Sequence, residues 1–130
     1  MIKTIMVFKK SGLCLFHKNF FFPHDEPHEL TGFFSAINIF SNNLFKEKVQ
    51  SILLGNSKIL FRYHNDNIFV IITDKDEYVD DMFNSLITNF ISEYTPEKDE
   101  KFRQEGQVPE FQLLDDFLDK CLKIPTFQNF

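Results

Sequence analysis

The sequence predicts an α/β (α+β) domain: a five-stranded antiparallel sheet with helices on both faces. Three observations predict it. An apolar hairpin runs from Ile2 to Phe22 about a Ser11-Gly12 turn. Three more strand-like runs are separated by Gly55-Asn56 and Asn65-Asp66-Asn67, residues that tolerate positive φ. Long stretches on either side of those runs carry apolar residues at helical spacing. A chain of 130 residues with 43% hydrophobic content fits one compact domain, which buries roughly two thirds of its unfolded surface on folding.

The elements follow in order. Ile2 to Lys9 and Leu13 to Phe22 form the hairpin, and Pro23 and Pro27 bracket the segment after it. Asp25 supplies a cap, Pro27 suits the first helical turn, and Glu29 complements the helix dipole. The helix that starts here places Leu30, Phe33, Phe34, Ile37, Phe40 and Leu44 on one face, and Asn42-Asn43 stops it. The next three strands are Val49 to Leu54, Lys58 to His64 and Ile68 to Thr73. Ile68-Phe69-Val70-Ile71-Ile72 is apolar throughout, so it belongs at the centre of the sheet with both faces covered.

Asp74 and Glu77 form a D-x-x-E capping pattern, and Val79, Met82, Phe83, Leu86, Ile87, Phe90, Ile91 and Tyr94 keep helical spacing after it. The polar stretch 95–109, with Gly106 inside it, reads as a loop. A last amphipathic helix occupies 110–124, from Pro109 to about Lys123, and Pro125 ends it. The expected order is β-β-α-β-β-β-α-α in a single domain over 1–130: core sheet and two helices in 1–94, loop in 95–109, helix in 110–124, tail in 125–130.

The composition narrows function. A net charge of −5 and a pI near 5.3 leave no electrostatic footprint for nucleic acid. Cys14 and Cys121 lack CxxC spacing and sit among apolar neighbours, so they read as buried thiols in a reducing compartment. Met1 to Phe8 does not resemble a signal peptide, and no apolar run is long enough to span a bilayer. The expectation is a cytoplasmic protein that meets membranes only peripherally or through a partner.

No chemical constellation assembles. His24 and His28, four apart with Asp25 and Glu26 between them, invite a zinc reading. The order departs from H-E-x-x-H, however, and Pro27 stands between the pair, so the stretch reads as the entry to a helix. His64 with Asp66 falls at a hairpin tip, where nothing excludes water. Ser11 and Ser57 lack a nucleophile-elbow context, and no phosphate-loop motif is present. Asp74, Asp76, Glu77, Asp80 and Asp81 lack the spacing of a calcium loop and favour a helix N-terminus instead. Phe20-Phe21-Phe22 invites a reading as a segment inserted into a membrane or partner, but strand alternation puts at least one of the three in the core, which favours a structural role. No catalytic residue, metal ligand or cofactor is expected.

The hairpin Ile2 to Phe22, the "ELTGFFSAINIFS" helix of Glu29 to Ser41, the "SKILFRYHNDNIFVIITD" hairpin of Ser57 to Asp74 and the C-terminal helices together resemble a longin domain. "SGLCLF" and "LTGFFSAINIF" are similar in style to stand-alone longin-like or roadblock-like proteins of archaea with eukaryote-like trafficking genes. An initial strand at Ile2, where the roadblock branch begins with a helix, points to longin within that group. The resemblance implies a profilin-like topology and a scaffold used in SNARE N-terminal domains, adaptor subunits and complexes that activate small GTPases. A SNARE role is not expected, since no heptad segment follows the last helix.

The function expected is therefore a non-enzymatic protein-interaction module linked to small-GTPase regulation or membrane trafficking. Its partner is a small GTPase, another longin or roadblock-type subunit, or a second copy. The alternative is a small-ligand-binding sensory domain of similar topology. In the longin arrangement the third strand lies at a sheet edge, which makes Phe45, Val49, Ile52 and Leu54 the candidate partner-binding residues, with Lys46, Glu47 and Lys48 as charged gatekeepers.

Overall fold

The computed structural model describes residues 1–20 and 27–122, with side chains from residue 29 onward in the second segment. His24, Asp25, Glu26, Phe21, Phe22 and Pro125, and the side chain of His28, lie outside the described residues. The elements are β1 (Ile2–Lys9), β2 (Cys14–Asn19), α1 (Pro27–Phe45), β3 (Ser51–Leu53), β4 (Ser57–His64), β5 (Asn67–Asp74), α2 (Asp80–Glu93), α3 (Pro96–Glu105) and α4 (Gln112–Cys121). The chain divides into two compact units, Met1–Phe83 and Asn84–Phe130.

The first unit holds a five-stranded antiparallel sheet in the order β2-β1-β5-β4-β3. The apolar β5 is its central strand, as its composition requires, and β2 and β3 are the edges. Asn65 adopts φ 55° in the tight turn between β4 and β5, a conformation that asparagine accepts at low cost. Side chains of a strand alternate between faces. Met6, Phe8, Ile59, Phe61, Ile68 and Val70 accordingly form one buried layer, and Phe34 of α1 joins it. Phe34 sets its ring 6.3 Å from Phe8 and 5.4 Å, edge-on, from Phe61. On the opposite face Ile5, Val7, Phe69 and Ile71 are fully buried. There Arg62 of β4 stacks 4.9 Å over Phe83 and pairs with Asp80 at 2.9 Å, which fixes the first turn of α2 to that face.

Three expectations are corrected. The Asp74-x-x-Glu77 pattern is not a helix cap: β5 runs to Asp74, the Glu77 N–H donates to the Asp74 carbonyl in a turn, and α2 starts only at Asp80. The helix α1 runs through Asn42-Asn43 to Phe45 and ends where Lys46 takes φ 57°. The stretch 95–109 is not a loop, since most of it is α3. Thr95 caps α3 by accepting from the Lys98 N–H, Pro96 occupies its first turn, and Gly106 closes it at φ 72°. The expected order thus gains one helix, and the last helix covers Gln112–Cys121 within the expected 110–124.

In the second unit Phe111 stacks on Phe90 at 5.3 Å and lies 5.7 Å from Tyr94. The carboxylate of Glu93 accepts from the N–H groups of Leu113 and Leu114 at 2.9 and 2.8 Å. It supplies the cap that Phe111, at the N-cap position of α4, does not. Cys121 is exposed and Cys14 half-buried, so the reading of two buried thiols is corrected as well.

Neighbouring phenylalanines of α1 separate core from surface. Phe34→Ala is expected to destabilise the fold by about 3–5 kcal/mol, the range for deleting a buried aromatic ring. Phe33→Ala, at a residue 57% exposed, is expected to change stability by about 1 kcal/mol or less. Urea unfolding of both variants in dilute solution checks the contrast, and equal losses would refute this placement of α1.

Candidate interaction surface

The third strand is an edge with one side open. Its register pairs Ser51 with Leu60, Ile52 with Ile59 and Leu53 with Lys58. Backbone groups of successive strand residues point to opposite sides. The Gln50 carbonyl accepts from the Phe61 N–H, and the Leu54 N–H donates to the Ser57 carbonyl. The N–H and C=O groups of Ser51 and Leu53 therefore point away from β4, out of the sheet.

The helix that leads into this strand, α1, carries an apolar flank. At 3.6 residues per turn, Phe33, Ile37, Phe40 and Leu44 share one side of the helix, opposite Ser35 and Asn42. Ser35 lies against the β1–β2 turn, its Oγ 3.1 Å from where a Cβ on Gly12 would sit. The Phe33 flank consequently faces away from that turn. Phe33, Phe40 and Leu44 are each more than half exposed, and so are Phe45, Leu53 and Leu54. The spacing of four, three and four along this stripe is that of a helix-packing seam. Phe40 and Phe45 rest edge to face at 6.4 Å, so the patch is ordered.

The residues expected at the edge divide between two roles. Phe45 and Leu54 are exposed. Val49 and Ile52 pack inward against the core layer, so Ile52 anchors the strand. Phe33, Phe40 and Leu44 were expected in the core because apolar residues occupy so much of the circumference of α1 that spacing alone selects no single inward direction. The predicted strand Val49 to Leu54 is reduced to Ser51–Leu53.

Polar bonds hold the α1–β3 connection in place. Ser41 Oγ donates to the Glu47 carbonyl at 2.7 Å, and Lys48 sits 5.0 Å over the Tyr63 ring. The Tyr63 hydroxyl lies 2.5 Å from both Asn38 Oδ1 and the Val49 carbonyl, and its one hydrogen serves one acceptor at a time. Burial pushes the Tyr63 phenol up to about 12, against an opposing effect of the Asn38 hydrogen bond.

The other residues singled out by sequence are placed as follows. His64 ends β4 opposite Asn67, and Asp66 is exposed in the turn between them. Ser57 Oγ accepts from Lys3 Nζ at 2.6 Å. Asp74 pairs with Lys3 at 3.5 Å, and Asp80 with Arg62. Among the described residues, Asp115, Asp116 and Asp119 of α4 are a group of three acids whose carboxylates lie within 4.8 Å of one another. No helix among them is long and apolar enough to cross a membrane.

The architecture has counterparts among solved structures. The "Gliding protein-mglB" from Thermus thermophilus aligns with a TM-score of 0.50 at 11% identity, covering 60% of this chain and 64% of that one. The "Roadblock/LC7 Domain from Streptomyces avermitilis" aligns with a TM-score of 0.47 at 8% identity, covering 58% of this chain and 68% of that one. The chain thus spans less than two thirds of the first of these proteins. No family model matches the sequence, and no curated protein matches it. The strand order together with the first likeness makes this a longin-like fold, an antiparallel α+β sheet carrying α1 on one face and the start of α2 on the other.

Tyr63 couples the brace to pH. Its phenol ionises at about 12 in the fold against 10.0 for the free side chain, so the folded chain holds more protons between those values. Its contribution is complete below pH 10 and disappears as pH rises toward 12. Tyr63→Phe is expected to lower stability near neutral pH by about 1–2 kcal/mol, by removing the donor to a buried acceptor, and to remove its share of the alkaline loss. Urea titrations of both proteins near neutral pH and in the alkaline range where the phenol ionises check this, and parallel pH curves would contradict it.

Proposed function

We infer that this chain is a non-enzymatic, longin-type protein-interaction module that uses the open edge of β3 and the apolar flank of α1 to bind a second longin-fold subunit, either another copy of itself or a roadblock-type partner. The observation that carries the reading is that an open strand edge and an exposed apolar helix follow one another in the chain. Backbone groups of Ser51 and Leu53 point outward from an edge strand, and α1, which leads into that strand, exposes Phe33, Phe40 and Leu44. Edge strands add strands, and a contiguous exposed apolar patch marks an interaction site. At the β2 edge, Leu15 and Phe16 are buried.

The resemblance to longin domains extends the reading to cytoplasmic assemblies that regulate small GTPases or membrane trafficking, with any membrane contact peripheral or through a partner. The test is affinity capture on the tagged chain with and without guanine nucleotide, run alongside sedimentation of the purified protein. The wild-type chain is expected to self-associate or to retain a longin-type subunit or a small GTPase. A Phe40→Glu/Leu53→Lys variant is expected to fold normally and lose that association by at least tenfold, since both side chains are exposed. A folded variant that keeps the mass and partners of the wild type would overturn the reading.

A further inference from the structure

The Ser35 flank of α1 borders a pocket of about 150 Å³ in the first unit, between the helix and the end of the sheet where β1, β4 and β5 meet their turns. Its lining is unlike the apolar patch. Lys10, Lys48, Ser35 and Asn42 are polar members of that lining, Ser35 and Asn42 from successive stretches of α1, and Ile39 and Ile68 are apolar ones. No acidic side chain is among the described residues that line it. Neither lysine ion-pairs with a carboxylate among the described residues. In a chain of net charge −5, two uncompensated lysines at one concavity make a local positive site.

Ser35 is the most informative member. A serine inside a helix ordinarily returns its hydroxyl to the carbonyl four residues back. Here Ser35 Oγ is buried and has no hydrogen-bond partner among the described residues. Burying such a group is unfavourable unless something accepts from it or donates to it. The neighbouring polar pair, Asn38 and Tyr63, is already mutually bonded, so the groups left to a ligand are Lys10, Ser35, Asn42 and Lys48. Gly12 lets the β1–β2 turn close on Ser35: it adopts φ 95°, and any Cβ would stand 3.1 Å from the Ser35 hydroxyl.

We propose that this pocket binds a small oxyanion, a carboxylate or phosphate group on a compact apolar body, held by Lys10 and Lys48 and hydrogen-bonded by Ser35 and Asn42. The size sets the limit. A cavity of about 150 Å³ accepts a molecule the size of benzene and falls short of the roughly 300 Å³ at which drug-sized pockets begin. The pocket is thus too small to enclose a nucleotide, whereas the charged group of a short organic acid or of a phosphate ester fits within it. The inference does not depend on the protein-binding reading, because the pocket and the apolar flank occupy opposite sides of α1.

The experiment is an amide NMR titration of the full chain with sodium phosphate and, separately, with sodium benzoate, each balanced with chloride to constant ionic strength. At least one of the two is expected to give saturable shifts centred on Lys10, Ser35 and Asn42, with half-saturation near or below about 1 mM. Saturation by phosphate alone assigns the site to phosphate esters, by benzoate alone to carboxylates, and by both to oxyanions generally. A Lys10→Gln/Lys48→Gln variant, altered at two exposed positions, is expected to bind at least tenfold more weakly, and Ser35→Ala to weaken binding while leaving the spectrum elsewhere unchanged. Linear shifts with both anions, or shifts that persist in the double variant, would overturn the proposal.

Discussion

The packing of one aromatic ring orients everything on the exposed side of this sheet. Phe34 sits between Phe8 of β1 and Phe61 of β4, and a helix anchored at one residue has no freedom to roll. Fixing Phe34 inward sends Ser35 toward the β1–β2 turn and leaves Phe33, Phe40 and Leu44 on the opposite flank. The same contact that stabilises the core thereby leaves an apolar stripe in water. The bonds from Ser41 and Tyr63 to the connection after α1 hold the entry to β3 in place.

Two flanks of one helix thus acquire different chemistry. The Phe33 flank is apolar, which suits helix packing, and the chain passes from that helix to an edge strand whose outward backbone groups suit strand addition. The other is polar, cationic and concave, with space for only a small anion. A shared helix also offers physical continuity between them, since both flanks move with the backbone that Phe34 anchors. Of the acids that the sequence brings forward, Asp80 fixes the start of α2 through Arg62; Glu93, which the sequence did not single out, caps α4.

Much of the fold is legible in the sequence, and the misreadings have physical causes. The five strands follow from alternation and from turn residues, and the fully apolar run from Ile68 identifies the central strand because only a strand covered on both faces tolerates it. The helix α3 escapes a search for apolar periodicity because Phe102 is its only buried residue. Its signals were nevertheless present as Thr95, Pro96, Glu97 and Gly106, a cap, a first-turn proline, a first-turn acid and a left-handed stop. The Asp74-x-x-Glu77 pattern misleads for the opposite reason, since a local motif carries no information on whether the strand before it has ended. Of the surface proposed for interaction, the edge position of β3 followed from topology, but the identity of the exposed face of α1 depends on which phenylalanine the sheet captures, a tertiary fact. The anion pocket gave no sequence signal, because Lys10, Ser35, Asn42 and Lys48 come from separate parts of the chain with no shared spacing.

The central claim is that the outward backbone groups of Ser51 and Leu53 are a docking edge. Hydrogen exchange of their amides, resolved residue by residue in the dilute chain and in its assembled form, tests it most directly. The Leu54 amide, bonded to Ser57 within the sheet, provides an internal reference. The account requires the Ser51 and Leu53 amides to exchange rapidly when the chain is alone and to become protected on assembly, while Leu54 changes little. Equal exchange at Ser51 and Leu53 in both states would contradict it.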